Sequence, residues 1–240
     1  MIKKTARALL RKFGLEVHRF RPDQKIAPLL ATSLEHFKID LVLDVGANVG
    51  QFASLLRRDG YTGRIISFEP LSEAYAELQR SASLDTAWEI SPRCALGNSV
   101  GAAEINISGN SWSSSLLPML GAHEAAAPAS VYTGKETVSI RTLDSVSPRY
   151  LAGAHAPFLK IDTQGFEWSV LDGARETIPK LKGIMVELSL VPLYEGQHLW
   201  DAIIDRLERE GFTLWSLQPA FTDRVSGRIL QLDGVFYRNP

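Results

Sequence analysis

The stretch Leu41-Val42-Leu43-Asp44-Val45-Gly46-Ala47-Asn48-Val49-Gly50 runs from an almost wholly apolar segment into a glycine-bearing turn. Apolar residues in succession, without strict polar alternation, predict a strand buried on both faces, as in a parallel sheet. Gly46 permits a tight turn and a close backbone approach. The residues that follow, with Phe52, Leu55 and Leu56 on one face, predict a helix. Its first N–H groups have no partner inside the helix and point outward, ready for a polar group. Strand, glycine turn and helix in this order open a doubly wound α/β fold.

The same alternation continues outward. Arg64 to Phe68 reads as a second strand ending in Glu69-Pro70, and a helix follows through Ala74, Tyr75 and Leu78. Ala156 to Asp162 is a further strand, then a helix carries Trp168, Val170 and Leu171. Ile184 to Leu188 is the next, with a helix from about 197 to 210. Such alternation predicts parallel strands joined by right-handed crossovers, with helices on both faces. Two closing runs, 212–217 and 229–237, predict an antiparallel pair at the C-terminal edge. Residues 98–146, rich in Ser, Ala and Gly, read as an insertion over the carboxyl edge of the sheet on the acceptor side, or else as a linker. The pattern predicts one α/β domain over 41–240 with a helical extension over 1–40.

The 240 residues suffice for one sizeable α/β domain, and 45 % apolar with 22 % charged residues is ordinary for a globular enzyme. A net charge of −1 gives no sign of a nucleic-acid partner. Cys94 is the single cysteine, which excludes an internal disulfide and a multi-cysteine zinc site. That fits a reducing cytoplasm. No apolar run approaches the roughly 20 residues that span a bilayer. Near the N-terminus Ile2, Ala6, Leu9, Leu10 and Phe13 recur at helical spacing among Lys3, Lys4, Arg7, Arg11 and Lys12. This basic amphipathic pattern serves for packing on the domain or on a sister subunit of a homo-oligomer. Alternatively, it serves for peripheral contact with the inner face of an anionic membrane.

Glu69, an acid at the tip of the second strand, is where nucleotide-binding sheets hold a ribose diol. Asn48 stands where a dinucleotide fingerprint needs its second glycine. Asp44 puts a negative charge beside the loop, which disfavours a pyrophosphate and favours the ammonium of an amino-acid cofactor. On this reading two acids grip opposite ends of S-adenosyl-L-methionine. The turn could also be no more than a strand–helix connection.

Four stretches, DVGANVGQF at 44–52, FEP at 68–70, ALG at 95–97 and LKIDTQGFEWSVLDGA at 159–174, resemble the FkbM-type methyltransferases. The resemblance covers most of 41–188. It implies a seven-stranded, mostly parallel Rossmann-like sheet, S-adenosylmethionine across its carboxyl edge, and O-methylation of small-molecule hydroxyls. By position, Asp44, Gly46, Asn48 and Gly50 would hold the amino-acid end of the cofactor and Glu69 the ribose. Ala95 and Leu96, beside Cys94, would lie against adenine. Gln164 departs from the family, which has an acid there.

An alcohol is a poor nucleophile at neutral pH, so a nearby base helps. Asp162 is the leading candidate to orient or deprotonate the acceptor; its other reading is a cap on the helix that starts near Phe166. Glu187 would share that role, or else pair with Lys160 or Arg175. His123 and His198 are further candidate bases, and His123 would also contact the acceptor; a lone histidine in a loop is otherwise a surface residue. Trp112, Ser113, Ser114, Ser115 and Gln164 would contact a sugar, glycolipid or polyketide hydroxyl acceptor, the serines by hydrogen bonds and the indole by stacking. Trp200 and Trp215 read as core. Asp162, Gln164, Glu167 and Glu187 offer oxygen ligands, but no spacing is diagnostic and no metal is assigned. Two alternatives stay open: a nucleotide-sugar or NAD(P)-dependent enzyme on a similar sheet, and an inactive module that keeps the cofactor fold for docking.

Overall fold

The computed structural model describes residues 29–238. The basic pattern at Ile2–Phe13 lies outside the described residues. Helix α1 (Leu29–His36) leads into β1 (Leu41–Val45), α2 (Gln51–Arg58), β2 (Arg64–Phe68), α3 (Ser72–Ala82) and β3 (Trp88–Ile90). A second, smaller sheet follows: β4 (Ala95–Leu96), β5 (Gly101–Ser108), then helix α4 (Gly121–Ala126) and β6 (Tyr132–Arg141). Two short helices, α5 (Leu143–Val146) and α6 (Pro148–Leu151), precede β7 (Pro157–Ile161) and α7 (Glu167–Asp172). The chain closes with β8 (Gly183–Ser189), α8 (Trp200–Arg209), β9 (Thr213–Thr222) and β10 (Ile229–Tyr237).

The main sheet has seven strands in the order β3-β2-β1-β7-β8-β10-β9. All pairs from β3 to β8 are parallel, and β10 runs antiparallel to both β8 and β9. The closing runs do pair antiparallel, but the C-terminal strand inserts one place in from the edge and β9 is outermost. The insertion is an ordered unit: β4 lies parallel to β6 and β5 antiparallel to it. It is tied to the loop after β8 by a bridge between Met119 and Tyr194.

Alternate residues of each strand feed two apolar layers. Leu41, Leu43, Val45, Leu159 and Ile161 pack with Val170, Leu171, Ile203 and Leu207 of α7 and α8. Val42, Ile65 and Phe158 pack on the other face with Leu34, Ala53, Leu56 and Leu78 of α1, α2 and α3. Burial on both faces is why β1 needs apolar residues in succession, each large one contributing roughly 1.5–3 kcal/mol. On α2, Ala53 and Leu56 are buried and Leu55 turns outward. Two sequence expectations fail here: Trp200 and Trp215, read as core, are both about half exposed. His123 goes the other way: it is 2 % exposed, on α4. Among the described residues, no helix is long and apolar enough to cross a membrane.

Candidate active site

The parallel strands end along one edge, and there a cavity of about 1040 Å³ opens between the main sheet and the insertion. Sheet order places β1 and β7 side by side, so the loops after both strands meet. The contact is tight at Gly46, whose φ is +75° and where a Cβ would come within 1.9 Å of the Asp162 carbonyl oxygen. No other residue fits that turn. Gly50 acts differently from the sequence expectation. A Cβ there would lie 2.7 Å from the Trp88 ring, so it seats α2 on β3 and lies behind the cavity wall.

Glu69 stands on the cavity wall, 4 % exposed. Its Oε2 accepts the Asn48 N–H at 2.8 Å and its Oε1 the Leu71 N–H at 2.9 Å. These two bonds fix the carboxyl plane and leave further lone pairs on both oxygens. Burial pushes the group up to about 7, against the lowering effect of the two N–H bonds and of Lys160. Phe68, Leu71, Cys94, Ala95 and Leu96 form an apolar wall beside it. An acid with paired free acceptors next to an apolar slot suits an adenosine, the diol on Glu69 and the ring on the wall. The residues therefore fit an adenosyl cofactor.

Asp44 is a correction to the sequence reading. It is fully buried and points away from the cavity: its carboxylate pairs with the Lys160 ammonium at 3.1 Å and accepts the Ser67 hydroxyl at 3.2 Å. Asp44 and Lys160 are register partners across β1 and β7, which sequence distance hides. Its charge is thus compensated internally, and the electrostatic case against a pyrophosphate loses its basis. Lys160 itself reaches the cavity, donating to the Gly46 carbonyl at 3.0 Å and lying 3.6 Å from Asp162.

Asp162, Gln164 and Glu187 meet on the cavity floor. The Gln164 amide donates to Asp162 Oδ1 at 2.9 Å and to Glu187 Oε2 at 3.0 Å. Gln231 from β10 donates to the same Glu187 oxygen at 2.6 Å. Glu187 therefore pairs with neither Lys160 nor Arg175. Burial raises it well above the ordinary carboxylate range, and the neighbouring Asp162, Glu167 and Asp233 add to this. Asp162 does not cap α7. Glu167 orders that turn instead, accepting from the Thr163 and Gly165 N–H groups and the Thr163 hydroxyl. Among the described residues, no three acid, histidine or cysteine side chains are arranged to hold a metal ion.

Across the cavity, Trp112, Ser113 and Ser114 line the insertion side, with Trp112 68 % exposed. Ser115 lies behind them and donates to the Gln164 carbonyl at 2.7 Å. His123 contacts Ser113 Oγ at 3.2 Å between the rings of Tyr194 and Phe221. Burial lowers it to about 4, so it is a neutral ring at physiological pH. His198 is not in the site: it stacks on Trp168, outside the cavity lining. Sequence reasoning missed Asp233, Gln231, Tyr194 and the site role of Lys160. Lys160 and Asp233 carried a signal, each a charge inside an apolar strand; Gln231 and Tyr194 carried none.

The sheet order, with a cofactor cavity across the carboxyl ends, defines a methyltransferase-type Rossmann-like fold. The family model for the methyltransferase FkbM domain matches residues 44–214. The chain belongs to the FkbM methyltransferases, a family that uses S-adenosylmethionine. Among solved structures, methyltransferase FkbM from Methylobacillus flagellatus KT matches with a TM-score of 0.48 and 16 % identity, over 83 % of this chain and 44 % of that one. LepI in complex with SAM matches with 0.45 and 13 %, over 99 % and 53 %. The O-methyltransferase NcsB1 from neocarzinostatin biosynthesis, in complex with S-adenosyl-L-homocysteine and 1,4-dihydroxy-2-naphthoic acid, matches with 0.45 and 9 %, over 90 % and 58 %. The chain spans about half the length of these proteins. No curated protein matches the sequence.

Proposed function

We propose that the protein methylates a hydroxyl group of a sugar, glycolipid or polyketide-type small molecule. The observation that carries this reading is a single cavity with two chemically distinct parts. Glu69 lies beside an apolar wall on the β2 side, and the Asp162–Gln164–Glu187 cluster lines the cavity from the tips of β7 and β8. Glu69 would hold the ribose diol of S-adenosylmethionine, the backbone of Gly46 to Asn48 its amino-acid end, and Ala95 and Leu96 its adenine. Bound there, the cofactor supplies an electrophilic methyl group. Asp162 accepts the proton that the acceptor hydroxyl loses, with the Lys160 ammonium 3.6 Å away on the same wall. Phe52, Phe166 and Met185 keep the walls apolar and limit competing water. Ser113, Ser114 and the exposed Trp112 face offer the hydrogen bonds and stacking surface that suit a polyhydroxylated ring.

A mass-spectrometric screen of the full-length protein with S-adenosylmethionine against glycans, glycolipids and polyketide alcohols tests this. The expected product carries one added methyl as an ether. Methylation of nitrogen or carbon only, or donor binding with no turnover of any hydroxylated compound, overturns the proposal.

A further inference from the structure

Gln164 is held with unusual care for an uncharged side chain. Its backbone is in the left-handed region, φ 55°, which non-glycine residues rarely adopt. Two neighbours maintain that conformation: Glu167 binds the N–H groups on either side, and Ser115 binds the Gln164 carbonyl. The next residue, Gly165, lies so close to Tyr194 that a Cβ would come within 2.9 Å of the tyrosine Cβ. That contact brings the Tyr194 hydroxyl to Gln164 Oε1 at 2.8 Å, shorter than its 3.3 Å approach to the Ser113 carbonyl. Burial keeps the phenol protonated, so it donates. With Oε1 taken, the amide nitrogen must face the carboxyl groups, and its two hydrogens go one to each. A flipped amide would turn its oxygen on both acids.

We propose that Gln164, oriented by Tyr194, is a positioning residue. It fixes Asp162 and Glu187 so that Asp162 takes the acceptor's proton while Glu187 holds the same oxygen by a hydrogen bond. This rests on the methyltransferase reading above. Glu187 Oε2 is committed to the Gln164 and Gln231 amides, which leaves Oε1 for the cavity. The groups that face Glu187 are Asp162, Glu167 and Asp233, which favour its neutral form, and Lys160, which opposes them. A neutral Glu187 donates from Oε1. The acceptor's O–H bond breaks, its proton forms a bond to an Asp162 carboxylate oxygen, and the electron pair stays on the acceptor oxygen. One amide thus binds two carboxyl groups with different roles, a division that neighbouring acids achieve when their surroundings differ.

The test is a carbon-13 NMR titration of the carboxyl groups in the full-length chain, with Glu187 assigned from the signal lost in Glu187→Gln. Calorimetry with S-adenosylhomocysteine is run on the same samples. In Gln164→Leu the charged form of Glu187 loses a hydrogen bond, so its midpoint should rise by about one pH unit. Tyr194→Phe, which frees the amide to rotate, should move it in the same direction by less, and this second variant keeps the test alive if the first does not fold. Midpoints that stay put in both variants, in protein that binds S-adenosylhomocysteine, overturn the role of Gln164 alone. Wild-type protein that ignores S-adenosylhomocysteine overturns the reading beneath it.

Discussion

Replacing Glu69 by glutamine tests the contact proposed to hold the donor's ribose. Each Glu69 oxygen spends one lone pair on a backbone N–H, from Asn48 or Leu71, and keeps another for a ribose hydroxyl. A diol donates two hydrogen bonds, so the site needs the carboxylate, while burial has raised the group to about 7. Affinity should therefore level off above that pH and fall by about tenfold per pH unit below it, roughly thirty-fold between pH 8 and pH 5.5. Glutamine sets an NH₂ group against one of the two N–H donors and offers a single oxygen. The loss should be about 1.5–3 kcal/mol, or about tenfold to hundredfold weaker binding at pH 8. Isothermal titration of S-adenosylhomocysteine into wild type and Glu69→Gln across this range measures both effects. Other buried acids and the ligand's own amino group also titrate, and the variant subtracts them. If the variant binds as tightly as wild type, or keeps the full pH dependence, Glu69 is not the ribose acceptor.

Asp162→Asn should still bind S-adenosylhomocysteine but slow methyl transfer on the order of 10²-fold, measured with the acceptor that the screen identifies; unchanged turnover removes it as the base. Lys160→Met leaves Asp44 buried without its cation and should cost about 3–5 kcal/mol in urea denaturation; a loss under about 1 kcal/mol would contradict the pairing. Stability should also depend on pH. Glu69 and Glu167 are raised from 4.5 to about 7 and Asp233 from 3.8 to about 6, so the stability they give is complete below the lower values and is lost as pH rises through the upper ones. His123, lowered from 6.5 to about 4, opposes this trend, since its contribution is lost as pH falls. The carboxyl groups outnumber it, so the ligand-free protein should unfold at a lower urea concentration at pH 8 than at pH 5.5; the reverse order would refute the burial assigned to them.

The sequence alone determined whatever rests on local order. Apolar residues in succession at 41–45, the turn at Gly46 and the acid at Glu69 identify the strand–turn–helix unit and a carboxyl group that the fold places on the cavity wall, because periodicity and turn chemistry act over a few residues. The strand tips carrying Asp162 and Glu187 were legible for the same reason. Tertiary structure decided the partners. Asp44 and Lys160 are 116 positions apart yet face each other across two strands, so a charge that reads as a cofactor contact is spent inside the core. Insertion of β10 beside β8 brings Gln231 to Glu187, and the loop after β8 brings Tyr194 to Gln164. Packing of the insertion buries His123, while His198 stacks on Trp168 away from the cavity. Which polar groups meet, and which charges remain free for a ligand, follows from the sheet order, and sheet order is set by long-range packing of both faces rather than by any short stretch of chain.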